Sequence, residues 1–279
     1  MIDLFKKLLK WLSPYGLIIL KEKRRQKQQE KDLGYNTYQK EILPKLNTQP
    51  LLFLKSPNLK VYGQGAEDLL LRAYIKSPES FTGFYIDIGA YHPVQASNTK
   101  YFYDAGWRGI NIDANPESAA IFKQMRPRDI NLNIGVSDEN GSLDYYYFGP
   151  KHSINTFNKS QAEAFSAHFN LAVKEVIKMP VRHINEVLIE HVPANTPIDF
   201  MSIDVEGMEG KILSAIDFKS FHPKFLLVED ISLEGEGLDF ETWKKLQSSW
   251  QHQFIVAQEY EFLAKTKLSL LYRSKKKEA

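Results

Sequence analysis

The chain has no cysteine among its 279 residues, which excludes disulfide staples, thiolate zinc sites and a thiol nucleophile. Its chemistry must come from oxygen and nitrogen groups, and the composition suits a reducing, cytoplasmic setting. A run of about 18 apolar residues is also missing. The stretch Leu17–Leu20 is short, Lys6, Lys7 and Lys10 interrupt the opening segment, and Pro14 and Gly16 break it again. Neither a transmembrane helix nor a secretory signal is expected there. The Gly-x-Gly-x-x-Gly fingerprint that admits a pyrophosphate is absent as well: Gly89 is followed by Ala90, Tyr91, His92 and Pro93. A strong overall charge is lacking too, at +2.

That small total conceals two unlike parts. Residues 1–60 hold 13 Lys and Arg against 5 Asp and Glu, whereas the remaining 219 hold 23 against 29. Nucleic-acid enzymes set basic charge beside the catalytic surface, so an acidic body argues against a nucleic-acid partner. With 43% hydrophobic and 13% aromatic residues, the chain has material for one principal core. The expected division is a basic extension and linker over 1–60, a catalytic domain over 61–272 and a basic, disordered tail over 273–279. In the extension, Ile2, Phe5, Leu9 and Leu12 recur at helical spacing beside the three lysines. That amphipathic helix either packs on the body or, through residues 1–20, makes peripheral contact with the inner face of a membrane.

From about residue 61, short apolar runs alternate with helical patterns, the order of βαβ units and a mostly parallel Rossmann-like α/β sheet. Strands are expected at Phe84–Ile88, Gly109–Asp113, Ile130–Val136, Ile198–Asp204 and Phe225–Glu229, with an extra strand at Gly141–Phe148 and closing antiparallel strands between Phe254 and Tyr272. Helices are expected at Glu67–Ile75, Gln95–Ala105, Pro116–Met125, Gln161–Ile177, Met208–Ile216 and Phe240–Ser248.

Three strand ends carry the chemistry. FYIDIGAYH closes on Asp87 and Gly89, and a glycine at the carboxyl end of a parallel strand permits close backbone approach of a ligand. GWRGINIDANP ends on Asp113, 24 residues beyond Gly89, placed for both hydroxyls of a ribose, while Asn115 before Pro116 can also cap the next helix. IDFMSIDVEG brings Asp204 and Glu206 to one side of a strand tip. Paired carboxylates there are costly unless they bind a cation, share a proton or accept hydrogen bonds, so they are expected to act in catalysis, with no residue assigned as a metal ligand. His92 is the alternative base, His152 in HSINTF a second histidine near substrate, and Glu229 with Asp230 a further source of negative charge.

Taken together, FYIDIGAYHP with Ser97–Thr99, GWRGINIDANP, NIGVSDENG and SIDVEGMEGKIL resemble the FkbM family of methyltransferases across about Tyr62 to Glu229. The resemblance implies a class I methyltransferase fold, S-adenosyl-L-methionine as cofactor, and a hydroxyl of a sugar, glycan or natural product as acceptor. It places Asp87, Gly89, Ala90, Tyr91, Asp113, Ala114, Asn115 and Ser137 around the cofactor. Many relatives carry a small or amide residue and then a glycine where this chain has Tyr91 and Pro93. Two other classes stay open: a metal-dependent glycosyltransferase acting on a nucleotide sugar through Asp204 and Glu206, and a membrane-docked scaffold without turnover. A nicotinamide-dependent dehydrogenase ranks last for want of phosphate-cradling glycines.

Overall fold

The computed structural model describes residues 60–233 and 238–276. The amphipathic segment and linker expected over 1–59 lie outside the described residues, as do 277–279. The main sheet contains β1 (Phe84–Ile88), β2 (Arg108–Ile112), β3 (Ile130–Leu132), β7 (Phe200–Ile203), β8 (Phe225–Glu229), β9 (Tyr260–Lys265) and β10 (Ser269–Ser274) in the spatial order β3-β2-β1-β7-β8-β10-β9. The first five run parallel, and β10 runs antiparallel to both its neighbours. Strand order reverses between β1 and β7, and in such sheets the crevice beyond the strand carboxyl ends at that point is the ligand site.

Period-two alternation divides the sheet into two faces. Phe84, Ile86, Ile88, Met201, Ile203, Leu226 and Val228 belong to one buried cluster, and Tyr85, Phe200, Leu227 and Leu271 to the other. Helix α1 (Glu67–Tyr74) supplies Leu71 to the second face, and α2 (Lys100–Asp104) supplies Phe102. On the first face lie α5 (Ile184–His191), α6 (Glu209–Ala215), α7 (Phe240–Ser248) and α8 (Trp250–Ala257), through Leu188, Leu213, Leu246 and Ile255. Helix α3 (Ser118–Met125) connects β2 to β3. The central strands are buried throughout, as a parallel sheet covered on both sides requires. None of the described helices is long and apolar enough to cross a membrane.

On the second face, apolar side chains give way to polar ones toward the strand ends. Tyr85 is followed two positions on by Asp87, Phe200 by Ser202 and then Asp204, and Leu227 by Glu229. Register aligns Asp87 with Ser202 and Glu229 with Ser269. The fold thus gathers carboxylates above one end of an otherwise apolar core.

Four expectations need correction. The helix expected over Gln95–Ala105 is only the five-residue α2; Ala96, in the left-handed conformation (φ 51°), keeps the chain before Lys100 out of the helix. The strand expected over Ile130–Val136 is two strands in different sheets: β3 stops at Leu132, and β4 (Gly135–Ser137) joins β5 (Gly141–Tyr147) and β6 (Glu175–His183) in a small sheet ordered β4-β6-β5. Between them the Asn133 amide donates to the carbonyls of Asp113 and Asn115, at 2.9 and 2.8 Å, and turns the chain out of the main sheet. The helix expected over Gln161–Ile177 is α4 (Lys159–Phe169), which ends at Asn170 in the left-handed conformation (φ 51°), a residue that tolerates such a stop. Beyond it, Glu175–Ile177 pair with β5. Arg273, expected to open a disordered tail, pairs with Phe225 inside β10 and bonds Glu261 through Nε at 2.9 Å.

Candidate active site

Beyond the ends of β1, β2, β7 and β8 lies a cleft whose described lining includes five carboxylates, Glu67, Asp113, Asp204, Glu206 and Glu229, and neither lysine nor arginine. An aromatic wall faces them, built by Tyr91, Tyr145, Phe157, Phe165 and Phe169 from the β1 loop, β5 and α4 with its approach.

Asp113 tops β2. Its Oδ2 accepts from the Tyr91 N–H at 2.7 Å, and its Oδ1 accepts from the Asn115 N–H at 2.7 Å and the Ser118 hydroxyl at 3.2 Å. Burial raises its pKa against the pull of these donors. A carboxylate has about four acceptor sites, so Asp113 keeps about one for a ligand, on Oδ2, rather than the pair expected for two hydroxyls. Tyr91 sits at φ 50°, and its hydroxyl donates to the Lys151 carbonyl at 2.9 Å. A strained residue thereby ties the β1 loop to the 149–155 loop across the cleft.

Asp204 directly follows β7 and Glu206 lies in the turn to α6, with consecutive positive φ values of 54° at Glu206 and 93° at Gly207. That turn is held from two sides. The Thr156 hydroxyl and the Asn158 amide donate to the carbonyls of Glu206 and Gly207, at 2.7 and 3.0 Å. The Glu209 carboxylate, in the first turn of α6, accepts from the N–H groups of Val205 at 2.9 Å and Gly207 at 3.0 Å. Holding Glu206 in a left-handed conformation costs about 1–3 kcal/mol, and these four bonds offset it.

Glu229 reaches the same place from β8. One carboxylate oxygen from each of Asp204, Glu206 and Glu229 lies within 4.8 Å of the others. Burial, reinforced by the charges of Asp204, Glu206 and Glu209, holds the Glu229 carboxyl well above the usual range. Asp204 is raised too, by burial first and by the charge of Glu209. Burial and neighbouring carboxylates thus hold both carboxyls above the ordinary carboxylate range.

Of the residues expected around the cofactor or in catalysis, Gly89, Tyr91, Asp113, Ala114, Asn115, Asp204 and Glu206 line the cleft. Four do not. Asp87 is buried beneath it, accepting from the hydroxyls of Thr99 at 3.2 Å and Ser202, and burial raises its pKa to about 6. Ala90 is buried, its N–H bonded to the Ile112 carbonyl at 3.1 Å. Ser137 is fully buried in the small sheet and donates to Asp138 at 2.8 Å. His92, the alternative base, also lies off the cleft: its Nδ1 accepts from the N–H groups of Val94 and Gln95, at 3.1 and 3.0 Å, closing a turn. Burial and the charge of Arg126 lower its pKa, so it serves the loop as a neutral acceptor. His152 does line the cleft.

Sequence reasoning missed Glu67 and the aromatic wall. Glu67 is hidden in an ordinary acidic first turn of α1, and its contact with Thr266 reaches a residue 199 positions away along the chain. Only Phe165 and Phe169 share an element, four residues apart on α4; the other members come from separate elements, so the wall as a whole has no periodicity.

The family model described as "Methyltransferase FkbM domain" matches residues 87–257, more than half of the chain. The chain belongs to the FkbM methyltransferase family. The matched stretch begins at Asp87 and contains every cleft carboxylate except Glu67. Among solved structures, the FkbM methyltransferase of Methylobacillus flagellatus KT is similar at 11% identity and a TM-score of 0.38, over 69% of this chain and 43% of that one. The alignment therefore spans less than half of that protein's length. No curated protein sequence matches the chain.

Proposed function

We propose that this FkbM methyltransferase uses S-adenosyl-L-methionine to methylate a hydroxyl of a small molecule or glycan. The observation that carries the reading is the charge of the cleft: five carboxylates and, among its described lining residues, no lysine or arginine. A diphosphate would meet only like charge there, whereas a ligand bearing a sulfonium and an ammonium meets complementary charge. Asp113 has one acceptor position left for a ribose hydroxyl. The donor fits this set, and when bound it supplies a methyl group already activated by positive charge.

What remains for the protein is to align the acceptor oxygen, keep water away and take up the hydroxyl proton. The aromatic wall offers apolar cover to a ring-shaped acceptor. Asp204, raised above the ordinary carboxylate range, and Glu206, fixed by the locked turn, are the groups that receive the proton. Calorimetric titration with S-adenosyl-L-methionine, a UDP-sugar and NAD tests the class. Binding of the first alone is expected, and binding of the UDP-sugar or NAD in its place overturns the reading.

A further inference from the structure

We propose that Asp204, Glu206 and Glu229 form a divalent-cation site that contributes one carboxylate oxygen each. Two separate observations meet here. The first is geometric: three hard oxygen donors from β7, the turn after it and β8 converge within 4.8 Å. Oxygens on opposite sides of an ion lie about 4.2 Å apart around Mg2+ and about 4.6–5.2 Å apart around Ca2+. Separations of no more than 4.8 Å therefore fall within the span of oxygens around one such ion.

The second observation concerns one atom. Glu229 is only 7% exposed, its carboxyl lines the cleft, and its buried Oε2 receives no hydrogen bond from any described N–H or O–H donor. A buried carboxylate oxygen left unsatisfied costs about 1–3 kcal/mol or more, and a cation within reach removes that cost. Ligation also fits the chemistry of the surroundings, since an all-carboxylate set selects Mg2+, Mn2+ or Ca2+ over the softer metals. The strained Glu206 turn, held by Thr156, Asn158 and Glu209, keeps one ligand in place before any ion arrives.

The site stands on this geometry alone. Its use in lowering the pKa of the acceptor hydroxyl rests on the O-methyltransferase reading. The test takes the full chain, stripped with a chelator and dialysed, and titrates it with MnCl2, following heat and the electron paramagnetic resonance signal of free Mn2+. One ion bound with a sub-millimolar Kd is expected, together with a higher melting temperature in its presence. Glu229→Gln and Asp204→Asn should each weaken binding about tenfold or more, while Asp113→Asn leaves it unchanged. Glu229→Gln removes a buried acid without changing shape, so its melting curve shows that the loss is not unfolding. Absence of Mn2+ binding up to about millimolar, the weak end of oxygen-ligand sites, overturns the proposal, as do variants that bind as tightly as the parent. S-adenosyl-L-methionine is titrated into the same samples: donor binding without Mn2+ binding defeats the metal site alone, and Mn2+ binding without donor binding defeats the donor reading alone.

Discussion

Gly89 faces the backbone carbonyl of Asp204 so closely that a Cβ at position 89 would fall 1.6 Å from that oxygen. Gly89 also holds φ 86°, which side-chain-bearing residues adopt at a cost of about 1–2 kcal/mol. Its glycine character therefore serves the junction of β1 and β7, whatever ligand lies above. Gly89→Ala should lose at least about 2 kcal/mol of stability from strain and forced displacement, seen as a lower melting temperature or poor soluble yield without any ligand. A fully stable Gly89→Ala protein that has lost only donor binding would contradict this and return the glycine to a purely ligand-facing role.

Asp113 offers a cleaner view of donor binding. Both of its oxygens are engaged by the loops that frame the cleft, so Asp113→Ala loosens Tyr91 and Asn115 as well as removing an acceptor. Asp113→Asn keeps the size, removes the charge and turns a donor toward the Tyr91 N–H or the ligand. Each charge-assisted bond is worth about 1.5–3 kcal/mol, which is about tenfold to a hundredfold in Kd. Calorimetry on both variants should show a loss in that range, with Asp113→Ala also lower in melting temperature. Unchanged affinity in a folded Asp113→Asn protein would place the donor elsewhere.

How far the sequence reveals the molecule depends on where each signal resides. Strands β1 and β8 are legible to the residue, because a buried parallel strand is an apolar run closed by a polar tip. Asp113, Asp204 and Glu206 are legible for the same reason, as carboxylates at such tips. Strand β6 is not, because its exposed edge residues Glu175 and Lys178 continue the polar texture of α4, and only Asn170 marks the break. Asp87 reads as a ligand residue but holds Thr99 and Ser202 instead. The pairing of those side chains is tertiary: Thr99 donates to Asp87 and Asn98 to Ser202, while Asn98 also lines the cleft.

His252 should make the fold sensitive to mild acid. Gln247 donates to its Nε2 at 2.9 Å, leaving Nδ1–H to donate to the Tyr272 hydroxyl at 3.1 Å, and burial lowers its pKa to about 4. The folded protein thus refuses a proton that the unfolded chain takes up below its ordinary value of 6.5. Stability is complete above that value and is lost as pH falls from 6.5 toward about 4. After screening, the loss is about 1–2 kcal/mol. Melting temperatures across this range should fall more steeply for the parent than for His252→Gln, and parallel curves would refute the assignment.

Catalysis provides the last prediction, and the locked turn allows it to separate chemistry from positioning. Asp204→Asn and Glu206→Gln each remove a proton acceptor at the point where the cleft carboxylates converge, so turnover should drop about a hundredfold to ten-thousandfold with donor affinity nearly unchanged. Glu209 does not line the cleft. It bonds the N–H groups of Val205 and Gly207 and so acts only through the placement of Glu206. Glu209→Gln should keep part of that function, because its amide oxygen still accepts one of the two N–H groups, whereas Glu209→Ala keeps none. The expected order of kcat is therefore parent, Glu209→Gln, Glu209→Ala, then Glu206→Gln, with the first substitution largely rescuing the second. If Glu209→Ala turns over like the parent, the strained turn plays no part in placing Glu206. If Glu206→Gln and Asp204→Asn do so as well, the proton leaves by another group, and His152, which also lines the cleft, becomes the next residue to replace.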